Sequence, residues 1–143
     1  MRTYVTTDEN GVVLTVLNKF GKQPVPEGWI EITERADRVR LRAAQHKYLV
    51  ARDGTLTERI PVRLVVGAKY MLADGKDQMP IEVKNSPEPM KVWVGQEAIT
   101  IQPGQIYMYS TTEPGAFLVK LADPKYMNTS QWGREILIQA RSV

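Results

Sequence analysis

Turn-forming residues punctuate this chain from Ile60 to its end, and their spacing constrains the fold more than any other feature. Asp74-Gly75, Asn85-Ser86-Pro87, Gly95, Pro103-Gly104, Pro114-Gly115 and Asp123-Pro124 fall between strand-like runs. Gly tolerates positive φ, Pro fixes φ and removes an N–H, and Asp or Asn bonds its own backbone, so each group turns the chain for a physical reason. The intervening runs, at 62–66, 69–72, 79–84, 90–94, 98–102, 105–110, 116–121 and 135–140, are rich in β-branched and aromatic residues. No helical period persists among them. Short strands at a spacing of roughly 8–12 residues predict an all-β sandwich. Alternation agrees: Met90, Val92 and Val94 share one face while Lys91 and Trp93 share the other. The run 135–140 is less decisive, because Ile136 and Ile138 oppose Leu137 and Gln139. Residues 60–143 therefore read as an antiparallel β-sandwich. It is slightly short for its class, so one edge strand is expected to be missing or supplied by the N-terminal unit.

Residues 1–59 carry a different pattern and read as a small α+β unit. TYVTT (3–7) and VVLTVL (12–17) flank Asn10-Gly11, a strong short-range hairpin signal. Gly21, Pro24, Pro26 and Gly28 mark a loop before a short strand at 29–32. Thr33 is placed to cap a helix over 34–47, with Glu34 and Asp37 near its positive end. The apolar stripe of that helix is thin (Ala36, Val39 and Ala43, with Leu41 and Ala44 alongside), so it should lie on a sheet. Tyr48-Leu49-Val50 and Thr55-Leu56 flank Asp53-Gly54, a second hairpin signal. The chain as a whole is predicted to be mainly β, with hairpins and one helix in its first unit.

Composition narrows the function classes. An apolar share of 43% suffices for a packed core, and a charged share of 24% argues against disorder. The absence of cysteine removes disulfides and thiolate ligands from consideration. No apolar run approaches the roughly 20 residues of a spanning helix, so no membrane span is expected. The opening MRTYVTTDENG lacks a signal-peptide core, so export by the usual secretory route is not expected either. Net charge is +3, with one basic concentration at Arg35, Arg38, Arg40, Arg42 and Lys47. That is too modest for a nucleic-acid surface, and none is expected.

Catalytic chemistry finds little to stand on. The single histidine, His46, sits beside Lys47, which makes it a poor general base and no basis for a multi-histidine metal site. Asp74 and Asp77 fall in a predicted tight turn, where Asp serves the local backbone, and the dense acidic spacing of a calcium loop is missing. Neither a phosphate-binding glycine loop nor a G-x-S-x-G elbow occurs. No catalytic residue, cofactor or metal is expected. Contact is the remaining class. Arg35, Arg38 and Arg42, at i, i+3 and i+7, share a helix face that is either solvated or turned to an acidic protein partner. Tyr107 and Tyr109 share one strand face, open to a core or an interface role, with Ile106 and Met108 opposite. Trp93 or Phe117 is expected to supply a bulky core residue. The polar segment 126–133, with Tyr126 at one end and Trp132 near the other, is the first candidate for a binding loop.

Two resemblances add to this reading. LVVGAKYMLADGKDQMPIEVKNSPEPMKVWVGQEAITIQPG resembles bacterial Ig-like repeats of the invasin and intimin type, through Ala73-Asp74-Gly75-Lys76-Asp77 and the later Glu113-Pro114-Gly115-Ala116-Phe117. It implies that the sandwich, over residues 62–141, is Ig-like. The first half resembles the opening of small tailed-bacteriophage tail and tail-fibre-associated proteins, through Tyr4, Gly11, Pro26, Gly28, Trp29, Ile30, Ile32, Tyr48, Asp53 and Gly54. Together they imply a non-enzymatic virion structural protein, tail- or fibre-associated, made in a bacterial host cytoplasm and acting in assembly and surface contact. Its partners would be other virion proteins and further copies of itself in a symmetric particle. The alternatives are a capsid-decoration or neck protein, or an adhesion module that takes a host-surface glycan.

Overall fold

The computed structural model describes residues 2–19, 21, 27–130, 132–133 and 135–143. Pro24, Pro26 and the side chain of Ala43, on which the sequence reading drew, lie outside the described residues, as does Gln131. The chain is mainly β, with a single α-helix among the described residues. It divides into two compact units, Met1–Arg59 and Ile60–Val143.

In the first unit, β1 (Arg2–Thr7) pairs antiparallel with both β2 (Val13–Lys19) and β3 (Ile30–Ile32), giving the order β2-β1-β3. The β1–β2 connection is longer than the two-residue turn that Asn10-Gly11 predicts. Gly11 alone takes positive φ, +86°. The Asp8 carboxylate accepts the backbone N–H groups of Asn10 and Val12 at 2.9 Å each, so an Asx turn organises the loop. The Gly11 carbonyl then accepts the Val50 N–H at 2.9 Å, tying the loop to β4 (Tyr48–Val50), which pairs with β5 (Leu56–Glu58).

The helix α1 (Arg35–Ala44) runs into a 3₁₀ turn at Gln45–Lys47. Two details of its prediction are corrected. Glu34, not Thr33, occupies the cap position, and it makes no side-chain cap hydrogen bond. The buried line also differs from the predicted one: Val39 is 58% exposed and Ala36 exposed, while Leu41 is buried. A 3.6-residue period sets Arg38, Leu41 and Gln45 along one line. Leu41 is the one large apolar side chain on it, and its burial, worth about 1.5–3 kcal/mol, sets the rotation of the helix. Leu41 joins Val5, Val13, Ile32 and Val50 in a small core.

The second unit is sandwich-like. Its strands are β6 (Ile60–Val66), β7 (Tyr70–Leu72), β8 (Met79–Lys84), β9 (Met90–Val94), β10 (Glu97–Ile101), β11 (Tyr107–Tyr109), β12 (Gly115–Leu121), β13 (Tyr126–Asn128) and β14 (Ile136–Arg141). They form a four-stranded sheet, β11-β8-β6-β13, and a five-stranded sheet, β10-β9-β12-β14-β7. Among the described residues, both sheets are made of strands from residues 60–143. Pairing is antiparallel except at two edges, where β13 runs parallel to β6 and β7 parallel to β14.

One core joins the two sheets. Val62, Leu64, Ile81 and Val83 point in from the four-stranded sheet, and Val92, Val119, Ile136 and Ile138 from the five-stranded one. The alternation of β14 is thereby settled: Ile136, Ile138 and Ala140 are buried, and Leu137, Gln139 and Arg141 are exposed. Aliphatic and methionine side chains fill most of this core. Trp93, expected as a bulky core residue, stands half-buried on the outer face beside Lys91, while Phe117 packs against the core.

Candidate interaction surface

Of the residues singled out from sequence, Arg35, Arg38 and Arg42 belong to the first unit and Tyr107, Tyr109, Tyr126 and Trp132 to the second. Arg35 and Arg42 are exposed on α1 and Arg38 is half-buried, so the predicted arginine face is partly turned inward. Arg40 pairs with Asp37 at 3.4 Å on the same helix. Tyr107 and Tyr109 are half-buried against the core, and the Tyr109 ring meets Phe117 in a tilted contact at 5.4 Å. Met108, between them, is exposed, as is the neighbouring Ile106.

Segment 126–133 differs from the open binding loop predicted. Its first residues form β13, and Tyr126 is 2% exposed, so its ring is not available to a partner. The Tyr126 hydroxyl donates to the Glu88 carboxylate, which, with burial, pushes the phenol up to about 12. Asn128 ties the segment down: its Oδ1 accepts the Leu64 and Ser130 N–H groups at 3.0 Å each, and its Nδ2 donates to the Gly133 carbonyl at 3.2 Å. Thr129 adds bonds from its N–H and its hydroxyl to the Val62 carbonyl. Trp132 is half-buried against the core, with the Lys69 ammonium 5.2 Å from its ring centre. This segment is a clasp on β6.

Asp74 and Asp77 act as turn residues. Asp74 Oδ1 accepts the N–H groups of Lys76 and Asp77 at 2.8 and 2.7 Å, and Asp77 Oδ2 accepts that of Leu72 at 2.8 Å. The bonds from Asp77 and Lys76 hold the Asp74 carboxyl below the usual aspartate value. Among the described residues no cluster of three or more His, Asp or Glu side chains could hold a metal ion. No helix there is long and apolar enough to cross a membrane.

Two further surfaces of the second unit stand out among the described residues. At one end of the sandwich an open groove of about 610 Å³ lies between the sheets, lined among others by Gln96, Glu97, Tyr109, Thr111, Glu113 and Phe117. Both carboxylates, Glu97 and Glu113, stand on open surface.

The other surface is the outer face of the five-stranded sheet, which the sequence reading missed. Opposite Ile136 and Ile138, Leu137 is 49% exposed and pairs across strands with exposed Leu118. Tyr70 and Leu72, 54% and 47% exposed, extend the face onto β7, and half-buried Trp93 extends it onto β9. Its signal in the sequence was the apolar residue at an outward position of the run 135–140, the feature that made that alternation indecisive. Comparison of the chain with protein-family models, with curated proteins and with solved structures gives no match.

Proposed function

We propose that this chain is a non-enzymatic structural protein of a tailed-bacteriophage virion, tail- or fibre-associated, acting in particle assembly and surface contact. The observation that carries the reading is the outer face of the five-stranded sheet. Exposed large apolar side chains gathered on one face mark a surface that makes contact. The segment-wise resemblance of the first unit to phage tail proteins supplies the setting.

The Ig-like reading of the second unit draws support from strand order. With the parallel-paired strands β7 and β13 and the edge strand β10 set aside, the first, second and fourth remaining strands (β6, β8, β11) share one sheet. The third, fifth and sixth (β9, β12, β14) share the other. An Ig sandwich divides strands A, B and E from C, F and G in the same way.

Antibodies raised against residues 60–143 test the proposal on particles released by lysis of the cells that make the chain. Electron microscopy should show label at the tail or its fibres. Label confined to the head would move the assignment to capsid decoration, and unlabelled particles would overturn the virion reading.

A further inference from the structure

We propose that the outer face of the five-stranded sheet docks an acidic protein surface, one that sets an apolar strip among carboxylates. This rests on reading the face as a contact surface; whether the partner is a virion protein is a separate matter that the experiment distinguishes. The register decides the charge of the face. Lys91 on β9, Lys120 on β12 and Arg141 on β14 stand at outward positions, and no Asp or Glu does so on any of the five strands. Glu97 takes the inward parity of β10, with Ile99 and Ile101. Glu135, 4.0 Å from Lys120, lies at the rim before β14 begins. The other sheet has no such bias, since Arg63 and Lys84 share its outer side with Glu82.

The cations are set among the apolar groups. Lys91 lies 5.6 Å from the Trp93 ring centre and Arg141 lies 4.4 Å from that of Tyr70. Leu118 and Leu137 occupy the middle of the sheet, on adjacent strands. This pattern selects among occupants. A second copy meeting face to face would oppose cations to cations. A glycan or nucleic acid would use the rings and charges but leave the leucines without an apolar partner. Lipid surfaces are entered by amphipathic helices or anchors that bury side chains about 5–10 Å deep, whereas Leu118 and Leu137 are only 36% and 49% exposed. A protein strip of apolar residues edged by Asp and Glu satisfies both parts.

Size sets how tight the contact can be. Five strands at about 4.8 Å spacing and strands of about 20 Å give a face of roughly 480 Å². Two such faces bury about 960 Å² in total, below the roughly 1,200–2,000 Å² of a stable complex. A single copy therefore binds weakly, and repeated copies would hold by multivalency.

A weak contact is best trapped covalently. A water-soluble carbodiimide joins a lysine amine directly to a carboxylate, and it is applied both to purified particles and to the lysate of producing cells. Mass spectrometry should find Lys91 and Lys120 joined to Asp or Glu of a different polypeptide. That yield should fall about tenfold or more in L118D/L137D and in R141E, variants that keep both lysines. All three substitutions are solvent-facing, and an unchanged unfolding midpoint verifies the fold. The inference is overturned if Lys91 and Lys120 react with other chains no more than Lys84 does, or only with further copies of this chain. Pelleting with phosphatidylglycerol vesicles that L118D/L137D abolishes would also overturn it, in favour of a lipid surface. Cross-links found in the lysate, with the chain absent from particles, would sustain the face and overturn the virion reading.

Discussion

Replacing Asn128 with alanine removes the acceptor that ties the edge strand β13 to β6 through the Leu64 N–H, together with bonds to Ser130 and Gly133 inside its own segment. The Leu64 residue is fully buried, so its N–H loses the Asn128 Oδ1 acceptor and gains no water in return. A buried donor orphaned in this way costs about 1–3 kcal/mol. Ser130 is half-buried and the bond to the Gly133 carbonyl is exposed, so water replaces much of what those two contribute, and about 1 kcal/mol covers both. The sum is about 3 kcal/mol. For a unit of this length each kcal/mol lowers the midpoint by about 4–8 °C, so N128A should melt about 12–24 °C below the wild type. N128D keeps both acceptances and gives up the exposed donation to the Gly133 carbonyl, so it should stay within about 1 kcal/mol of the wild type. Thermal unfolding by circular dichroism gives the midpoints, and amide exchange at Leu64 reports the orphaned group itself. The reasoning is refuted if N128A melts within 3 °C of the wild type, or if N128D is as damaging as N128A.

Other substitutions and pH probe the remaining features. L41A should destabilise the first unit by about 2–5 kcal/mol and V39A by less than about 0.5. Equal effects in chemical denaturation would contradict the helix rotation described above. A Cβ on Gly54 would lie 2.7 Å from the Glu31 carbonyl oxygen at φ +86°, whereas one at Gly28, φ +91°, meets nothing within 4 Å. G54A should therefore lower the midpoint clearly more than G28A, which carries backbone strain alone; equal midpoints would count against the close approach. The hydrogen bond to Glu88 raises the Tyr126 phenol from 10.0 to about 12. Its stabilisation is fully present below pH 10 and lost as pH rises through about 12, so an absorbance titration should show one late phenolate step that Y126F abolishes. An unchanged titration in Y126F would refute this. Asp74, held below 3.8, stabilises above that pH and loses its contribution as pH falls through its lower folded value. D74N should flatten that part of the acid limb, and an identical limb would show that the turn carboxylate contributes nothing.

Strand positions in the second unit were legible because turn chemistry and period-two alternation are local. The runs 79–84 and 90–94 coincide with β8 and β9, and others fall within a residue or two. The strand β13 was missed. Tyr126-Met127-Asn128 is short, and it becomes a strand through a parallel pairing with β6 and the bond from the Leu64 N–H to the Asn128 side chain, partners that are distant in sequence. The helix was legible and its rotation was not, since Ala and Val scattered around it gave a stripe that one Leu overrode.

Aromatic residues in polar segments do not mark the contact surface of this chain. Tyr126 was expected on a loop because its neighbours are polar, yet Glu88 supplies the partner that lets the hydroxyl be buried. Leu118 and Leu137 each lie in an apolar run that reads as core. Which of two apolar faces meets solvent depends on which side the second sheet packs, and no local pattern states that.

The central claim is tested most directly by a mass-spectrometric inventory of purified particles, counting copies of this chain against the major capsid and tail proteins. The account predicts its presence at a low multiple of three or six per particle, as a tail- or fibre-associated component. Hundreds of copies would place it on the capsid instead, and absence from every particle would contradict the account.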